Sequence, residues 1–528
     1  MAKARKKMTK KTTKKTAKKL AKKSSRRGTS RGGGASSVKA TTPGGTFKAP
    51  AGGVKVRMYR QGFGDCFLLA FGGENGAQTY VMIDMGVVNA ASGKPATMKK
   101  IAASIHAATG GHVDVLVITH EHFDHVCGFK FAEQELRKIT FGQAWLAWTQ
   151  DPTDTLAKSL HEEYGQQLEA LRAAAVKLKA AADEEGSNRL RQYLSFDGEL
   201  DGRLVGATEK FSPTTKEALN IGSGLAGKRE CFKPGRVIDD VIEGVRVYVL
   251  GPPYSKEKLK ETEPELNEAY LAEQAALTGF IGALTGDAKG DALRPIDKAY
   301  AIDEKAAEKH AFFASEYFGS GAKSAEERGK RYGWRRIDAS WLRAGESLAL
   351  QMQNATNNTS LVLAFEHVKS GKVLLFAGDA QPGNWRSWKD VRFAVSGSSL
   401  DRDRDGVVTS DDLLAATVVY KVGHHGSHNG TMKGEGLEKM TSRELVALLP
   451  TDKDQAEASG WDKIPKPELI ERLMQRTQGR VLSTDHTAET PDRNRPAAQA
   501  SSQRAWKAWV DRVTEPEGTL CYDVEVEG

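Results

Sequence analysis

Cysteine is scarce in this chain of 528 residues: Cys66, Cys127, Cys231 and Cys521 stand far apart and form no CxxC pair. That excludes a disulfide framework and a cysteine-based zinc finger, and makes a reducing cytoplasm the expected setting. Cys127, although it lies among metal-seeking residues, reads as a small buried apolar side chain. No apolar run reaches the ~18 residues of a membrane-spanning helix. No apolar segment follows the basic N-terminus, which argues against a secretory signal. Acidic residues are missing from positions 1–31, which carry fifteen Lys or Arg. The net charge of +9 is therefore a property of the tail, because residues 32–528 hold 62 basic against 68 acidic side chains and sit near −6.

What is present divides the chain. Residues 1–50 read as a disordered Lys/Arg-rich tail and linker, by composition. Such a tail is either a solubilising extension or a means of attracting nucleic acid or another polyanion through counterion release. From residue 51 to 528 the pattern is one layered α/β domain. "VKVRMYRQ", "CFLLAF", "TYVMIDMG" and "HVDVLVITH" are short β-rich runs, and "GVRVYVLGPP", "TSLVLAFEH", "KVLLFAGDA" and "TVVYKVGHH" follow later. Two polar, helix-periodic segments, about 152–230 and 255–345, read as insertions into this core. Residues 435–528 read as two helices and a closing strand on the same fold, with Trp461, Trp506 and Trp509 as packing anchors.

The densest chemistry lies in "VLVITHEHFDHVCGF", residues 115–129, where an apolar strand runs straight into His120, His122, Asp124 and His125. A tight loop at a strand end can turn His120 and His122 towards one metal and Asp124 and His125 towards a second. Imidazole and carboxylate are the usual ligands of hydrolytic zinc sites, and two ions ~3.5–4 Å apart can activate water and clamp a leaving oxygen.

This motif resembles the metallo-β-lactamase superfamily, whose fold is an αβ/βα sandwich, and other segments resemble its remaining landmarks. "VMIDMG" resembles the first motif, which implies that Asp84 supports the ligand loop from behind. "KVLLFAGDA" resembles the fourth, with Asp379 as the metal-bridging carboxylate. "YKVGHHGSHNGT" resembles the fifth, with His424 or His425 on the second metal. Neighbours in an extended strand point oppositely, so one of the pair would bind metal and the other face substrate. The resemblance implies zinc, one or two ions, with manganese or iron as alternatives, and catalytic roles for Asp124 and His425. The third-motif histidine is not evident: "VRVYVLGPP" offers Gly251 where a ligand would stand, and His161, His310 and His367 lie elsewhere. Asn357, Asn358 and Thr359 read as turn residues. The wording of "RQGFGDCFLLAF", "NNTSLVLAFE", "LLFAGDA" and "KVGHHGSH" is similar to the soluble metallo-hydrolase domain of competence-type DNA-uptake channels, over roughly residues 54–130 and 235–435.

A second ion site is suggested by "DRDRDGVVTSDD". Asp401, Asp403, Asp405 and Asp412 occupy positions 1, 3, 5 and 12 of a calcium loop, with Gly406 at position 6. The expected function is a metal-dependent hydrolase that uses a metal-bound hydroxide on a phosphodiester or other phosphoester, with DNA as one substrate. Two alternatives stand beside it. One is a non-catalytic, metal-stabilised module tethered to nucleic acid by the tail; the other is a hydrolase of a small carbonyl ester or lactone. A β-lactam substrate fits poorly with the missing export signal.

Overall fold

The computed structural model describes residues 45–528, apart from 89–90, 181–183, 195–214, 263–299, 301, 323, 325–326, 328–343, 460, 462 and 486–497. Most of the basic tail and much of both expected insertions lie outside the described residues.

The first sheet has eight strands. β1 (Val54–Tyr59), β2 (Phe67–Gly72) and β3 (Gln78–Ile83) form an antiparallel meander. β4 (His112–Val117), β5 (Thr140–Ala147) and β6 (Ala226–Phe232) then add in parallel. The other edge is closed by β17 (Cys521–Val526), which pairs antiparallel with β1 and with the two-residue β16 (Val513–Thr514). The second sheet has seven strands in the order β15 (Val481–Ser483), β14 (Val446–Leu449), β13 (Thr417–Lys421), β10 (Lys372–Phe376), β9 (Val362–His367), β8 (Val245–Gly251) and β7 (Val237–Ile238). A small hairpin, β11 (Arg392–Ala394) with β12 (Val407–Thr409), stands apart.

Side-chain alternation explains why the sheets face each other. Val56, Phe67, Leu69, Val81, Ile83, Val115 and Val117 of the first sheet share one core with Val247, Leu363, Phe365, Leu374, Phe376 and Leu448 of the second. Phe67 meets Phe376 and Phe71 meets Phe365 across this interface. The intervening residues Leu68, Tyr80, Met82 and Leu116 point outward and are covered by Met98, Ile101, Ala102 and Ile105 of α1 (Lys94–Thr109) and by Val126, Cys127 and Phe129 of α2 (Phe123–Phe131). Trp385, Trp388, Leu413, Ile470 and Leu473 cover the outer face of the second sheet. The result is the αβ/βα sandwich expected from the motifs.

The helices Thr155–Ala180, Glu184–Leu194 and Ala344–Asn357 pack on one another through Leu171, Leu178, Leu190, Leu348 and Met352, a cluster of their own beside the sandwich. Residues 215–232, at the end of the first expected insertion, supply a helix and strand β6 to the first sheet. The C-terminal region differs from its sequence reading: "VALL" is the buried parallel strand β14, where a helix was expected. A strand buried on both faces is a continuous apolar run, which helical periodicity fits equally well. Trp506 and Trp509 are buried between the sheets, and Trp461 packs against Phe63. Among the described residues no helix is long and apolar enough to cross a membrane.

Candidate metal centre

Five chain segments end at the same edge of the sandwich, and the centre is built from what they carry there. β3 delivers Asp84, β4 the 118–125 loop, β10 Asp379, and β13 Lys421 and the histidine doublet; the β1–β2 turn supplies Asp65. The 118–125 loop and the segment after β3 approach so closely that a Cβ on Gly86 would lie 2.2 Å from the carbonyl carbon of Asp124. Only glycine fits there.

Asp84 lies behind the 118–125 loop. Its backbone is left-handed, with φ 53°. One carboxylate oxygen accepts the Thr119 amide at 2.8 Å; the other accepts the Thr119 hydroxyl at 2.6 Å and Nδ1 of His125 at 2.8 Å. Because Nδ1 of His125 donates backwards, Nε2 faces Asp379 Oδ2 at 3.2 Å. His425 is set the same way: Nδ1 donates to the Pro450 carbonyl at 2.7 Å, and Nε2 lies 3.0 Å from Asp124 Oδ2 and 3.2 Å from Asp379 Oδ2. Ligand atoms of Asp124, His125, Asp379 and His425 all fall within 4.8 Å of one another, and all four residues are buried.

His120 and His122 converge separately. Nε2 of His120 faces Nδ1 of His122 at 3.1 Å, while Nδ1 of His120 contacts the Thr119 hydroxyl that is itself bonded to Asp84. His424 and His425 are both left-handed (φ 44° and 52°), so the alternation of an extended strand does not govern them. Their rings nevertheless diverge. His425 enters the four-residue group, whereas half-buried His424 turns to Asn357 Nδ2 at 3.1 Å and Ser427 Oγ at 2.6 Å.

Two buried residues were not singled out from the sequence. Lys421, 1 % exposed, donates to Asp65 Oδ2 at 2.6 Å, to the Gly378 carbonyl at 2.8 Å and to Asp379 Oδ1 at 3.0 Å, which uses all three of its protons. The Asp65 amide also donates to the Asp124 carbonyl at 3.1 Å, so it buttresses the ligand loop. The available signals were a lone charge inside the apolar run "TVVYKVG" and an aspartate wedged after two glycines in "GFGDC".

Other candidates fall elsewhere. Gly251 is no vacant ligand position: a Cβ there would lie 2.1 Å from Asn384 Oδ1. His161 bonds the Thr149 carbonyl, His310 stands at the N-cap position of a short helix without a side-chain capping bond, and His367 bonds Ser370. The segment that borders the centre between the second and fourth motifs is instead 357–361. Ser360 Oγ accepts the Asp379 amide at 3.0 Å, and the Leu361 amide donates to the Thr119 carbonyl at 2.9 Å. The expected calcium ligands do not converge. Asp401 accepts the amides of Asp405 and Gly406, Asp405 that of Val407, and Asp412 forms a capping box with Thr409. Asp401, Asp403, Asp405 and Asp412 form no metal-sized group. In this arrangement the Asp401, Asp405 and Asp412 carboxylates accept from turn and helix-cap amides.

The residues at the sandwich edge fit a divalent cation. Asp124 Oδ1 and Asp65 Oδ1 are buried carboxylate oxygens without a hydrogen-bond partner, and His425 Nε2 is turned towards Asp124 and Asp379. Electrostatics agree. Burial opposes charge on His125 and His425, but Asp379, with Asp65 and Asp124, outweighs it, raising His125 well above its ordinary value and His425 to about 9. Burial likewise opposes ionisation of Asp124 and Asp379, yet the facing histidines hold Asp124 near 2 and, with Lys421, hold Asp379 well below the carboxylate range. Burial keeps His120 and His122 neutral, His122 near 4. A cation must therefore displace protons from His125 and His425 at neutral pH. Zinc titrated into metal-free protein at pH 7 is expected to release about two protons per tightly bound ion. Affinity should climb with pH through about 9, where His425 loses its proton unaided, and go on climbing while His125 stays protonated. Calorimetry in two buffers of different ionisation enthalpy measures this, and release near zero would show both imidazoles already neutral.

A family model, Metallo-beta-lactamase superfamily, matches residues 59–141, from the end of β1 into β5, and so spans Asp65, Asp84 and the whole His120–His125 loop. No curated protein matches the chain. Members of that superfamily bind divalent metals, and the matched segment, the sandwich fold and the converging ligand group together support the metallo-β-lactamase superfamily for this chain.

Proposed function

We propose that the chain is a metal-dependent hydrolase of phosphodiesters, with DNA as its substrate class. The observation that carries the metal-dependent part is the buried convergence of Asp124, His125, Asp379 and His425 at the strand ends of both sheets. A divalent ion bound there supplies Lewis acidity and lowers the pKa of water. The protein's own part is positioning. Asp84 and the Pro450 carbonyl fix the ring orientations of His125 and His425, and Lys421 offsets part of the negative charge of Asp65 and Asp379. His424, half-buried and held near 4 by burial, is a neutral ring whose two nitrogens are taken by Asn357 and Ser427, so it braces the doublet beside His425. The phosphodiester preference rests on the resemblance to the hydrolase domain of DNA-uptake channels and on the basic tail, which would concentrate a polyanion near the acidic body.

The test is turnover by zinc-loaded full chain of bis(p-nitrophenyl) phosphate, p-nitrophenyl acetate, a lactone, and end-labelled single- and double-stranded DNA. Phosphodiester cleavage is expected, with a KM for DNA that rises steeply between 50 and 200 mM salt as the tail's phosphate contacts are screened. Turnover of the acetate or lactone alone would overturn the phosphodiester assignment. A fully metal-loaded protein inert towards every substrate would favour the binding-module alternative.

A further inference from the structure

Building on the metal-dependent reading, we infer that the centre is asymmetric: one ion is held tightly by Asp124, His125, Asp379 and His425. A second position, at His120 and His122, is completed by the side-chain oxygens of Asn357 and Gln381 and holds its ion weakly.

The gap between Nε2 of His120 and Nδ1 of His122, 3.1 Å, is close to the ~3.3 Å that separates two nitrogens on one tetrahedral zinc with bonds of ~2.05 Å. Yet His120 and His122 belong to no group of three or more histidine, cysteine or carboxylate ligands among the described residues. On the side of the centre that carries His424, the buried groups are amides. Asn357, 2 % exposed, and Gln381, fully buried, each keep a side-chain oxygen without a hydrogen-bond partner. Both flank the ring of His424, Asn357 at Nε2 and Gln381 at Nδ1, and Gln381 also donates to Asn354 at 2.9 Å on the helix that ends at Asn357. The 357–361 segment is tied through Leu361 to Thr119, the residue before His120, and through Ser360 to Asp379. His424 lies within electrostatic reach of His122, which connects the amide pair to the second histidine of the loop.

Burying two carbonyl-type acceptors without a donor costs free energy unless a cation or proton-bearing ligand meets them. A neutral amide oxygen attracts a divalent ion less than imidazole or carboxylate does, so a position completed this way is weak. Lys421 strengthens the asymmetry, since it occupies Asp379 Oδ1 and leaves only Oδ2 towards the ligand histidines.

Zinc titration of the full chain by calorimetry, with elemental analysis after gel filtration, decides the matter. Wild type should retain one zinc and bind a second at least a hundredfold more weakly. Asn357→Asp, which adds a carboxylate, should tighten the second step at least tenfold, and Asn357→Leu should abolish it while the first zinc is kept. That retained zinc also reports that the variant folds. Two zincs retained with equal affinity by wild type, or a second step indifferent to both substitutions, overturns the inference. A wild type that retains no zinc at all defeats the metal-dependent reading itself.

Discussion

Asp379→Asn is expected to strip the tightly bound ion from the purified protein and to lower phosphodiester turnover about a thousandfold, the scale of losing one preorganised electrostatic contact. The carboxylate has no substitute. Its Oδ2 stands 3.2 Å from both His125 and His425, and its Oδ1 accepts Lys421 at 3.0 Å. An asparagine keeps the shape but removes the negative charge that the two histidines face. Those histidines would then lose their strongest charged partner. Elemental analysis and a turnover assay check the result, with far-UV circular dichroism to show that the sandwich is intact. Full metal content with unchanged kcat would remove Asp379 from the centre.

Lys421→Met should be the most destabilising substitution at the site, by about 3–5 kcal/mol in metal-free protein, the range for removing one partner of a buried ion pair. Methionine fills much the same volume, so the loss is of charge rather than packing. Burial already holds Asp65 above the usual carboxylate range in spite of Lys421 beside it, so removing the lysine leaves two carboxylates, Asp65 and Asp379, with one cation fewer. Saturating zinc should recover part of the deficit by supplying positive charge to the same cluster. Urea denaturation with and without zinc measures both effects. A variant as stable as wild type under both conditions would mean that the lysine charge is not what balances the pair.

Much of the centre was legible because its chemistry is local. "THEHFDH" packs four ligand-type side chains into six positions, and "VMIDMG" and "KVLLFAGDA" each place one aspartate at the end of an apolar run. Residues that matter through long-range approach were not. Asp65 and Lys421 are 356 positions apart and meet only because β1–β2 and β13 finish at one edge of the sandwich. Asn357 and Asn358 read as turn residues because a polar pair before a strand usually is one. Here Asn358 does hold the backbone amides of Gln381 and Asn384, whereas Asn357 faces His424. The aspartates of 401–412 fit a ligand spacing, and Asp401, Asp405 and Asp412 also accept from turn and cap amides, two roles that spacing alone does not separate. Gly251 was assessed for the ligand it lacks, and its role is to make room for Asn384.

The pairing of β17 with β1 has a consequence for synthesis. Val54 lies opposite Val526, and the buried Arg57 grips Asp523 through two hydrogen bonds. At ~5–20 residues per second, roughly 25–95 s separate translation of the two strands on a ribosome. Throughout that interval β1 offers an open hydrogen-bonding edge, immediately upstream of the turn that carries Asp65. From the synthesis of β1 until β17 emerges, that edge stays available to other strands, and vulnerability to mispairing there lasts as long.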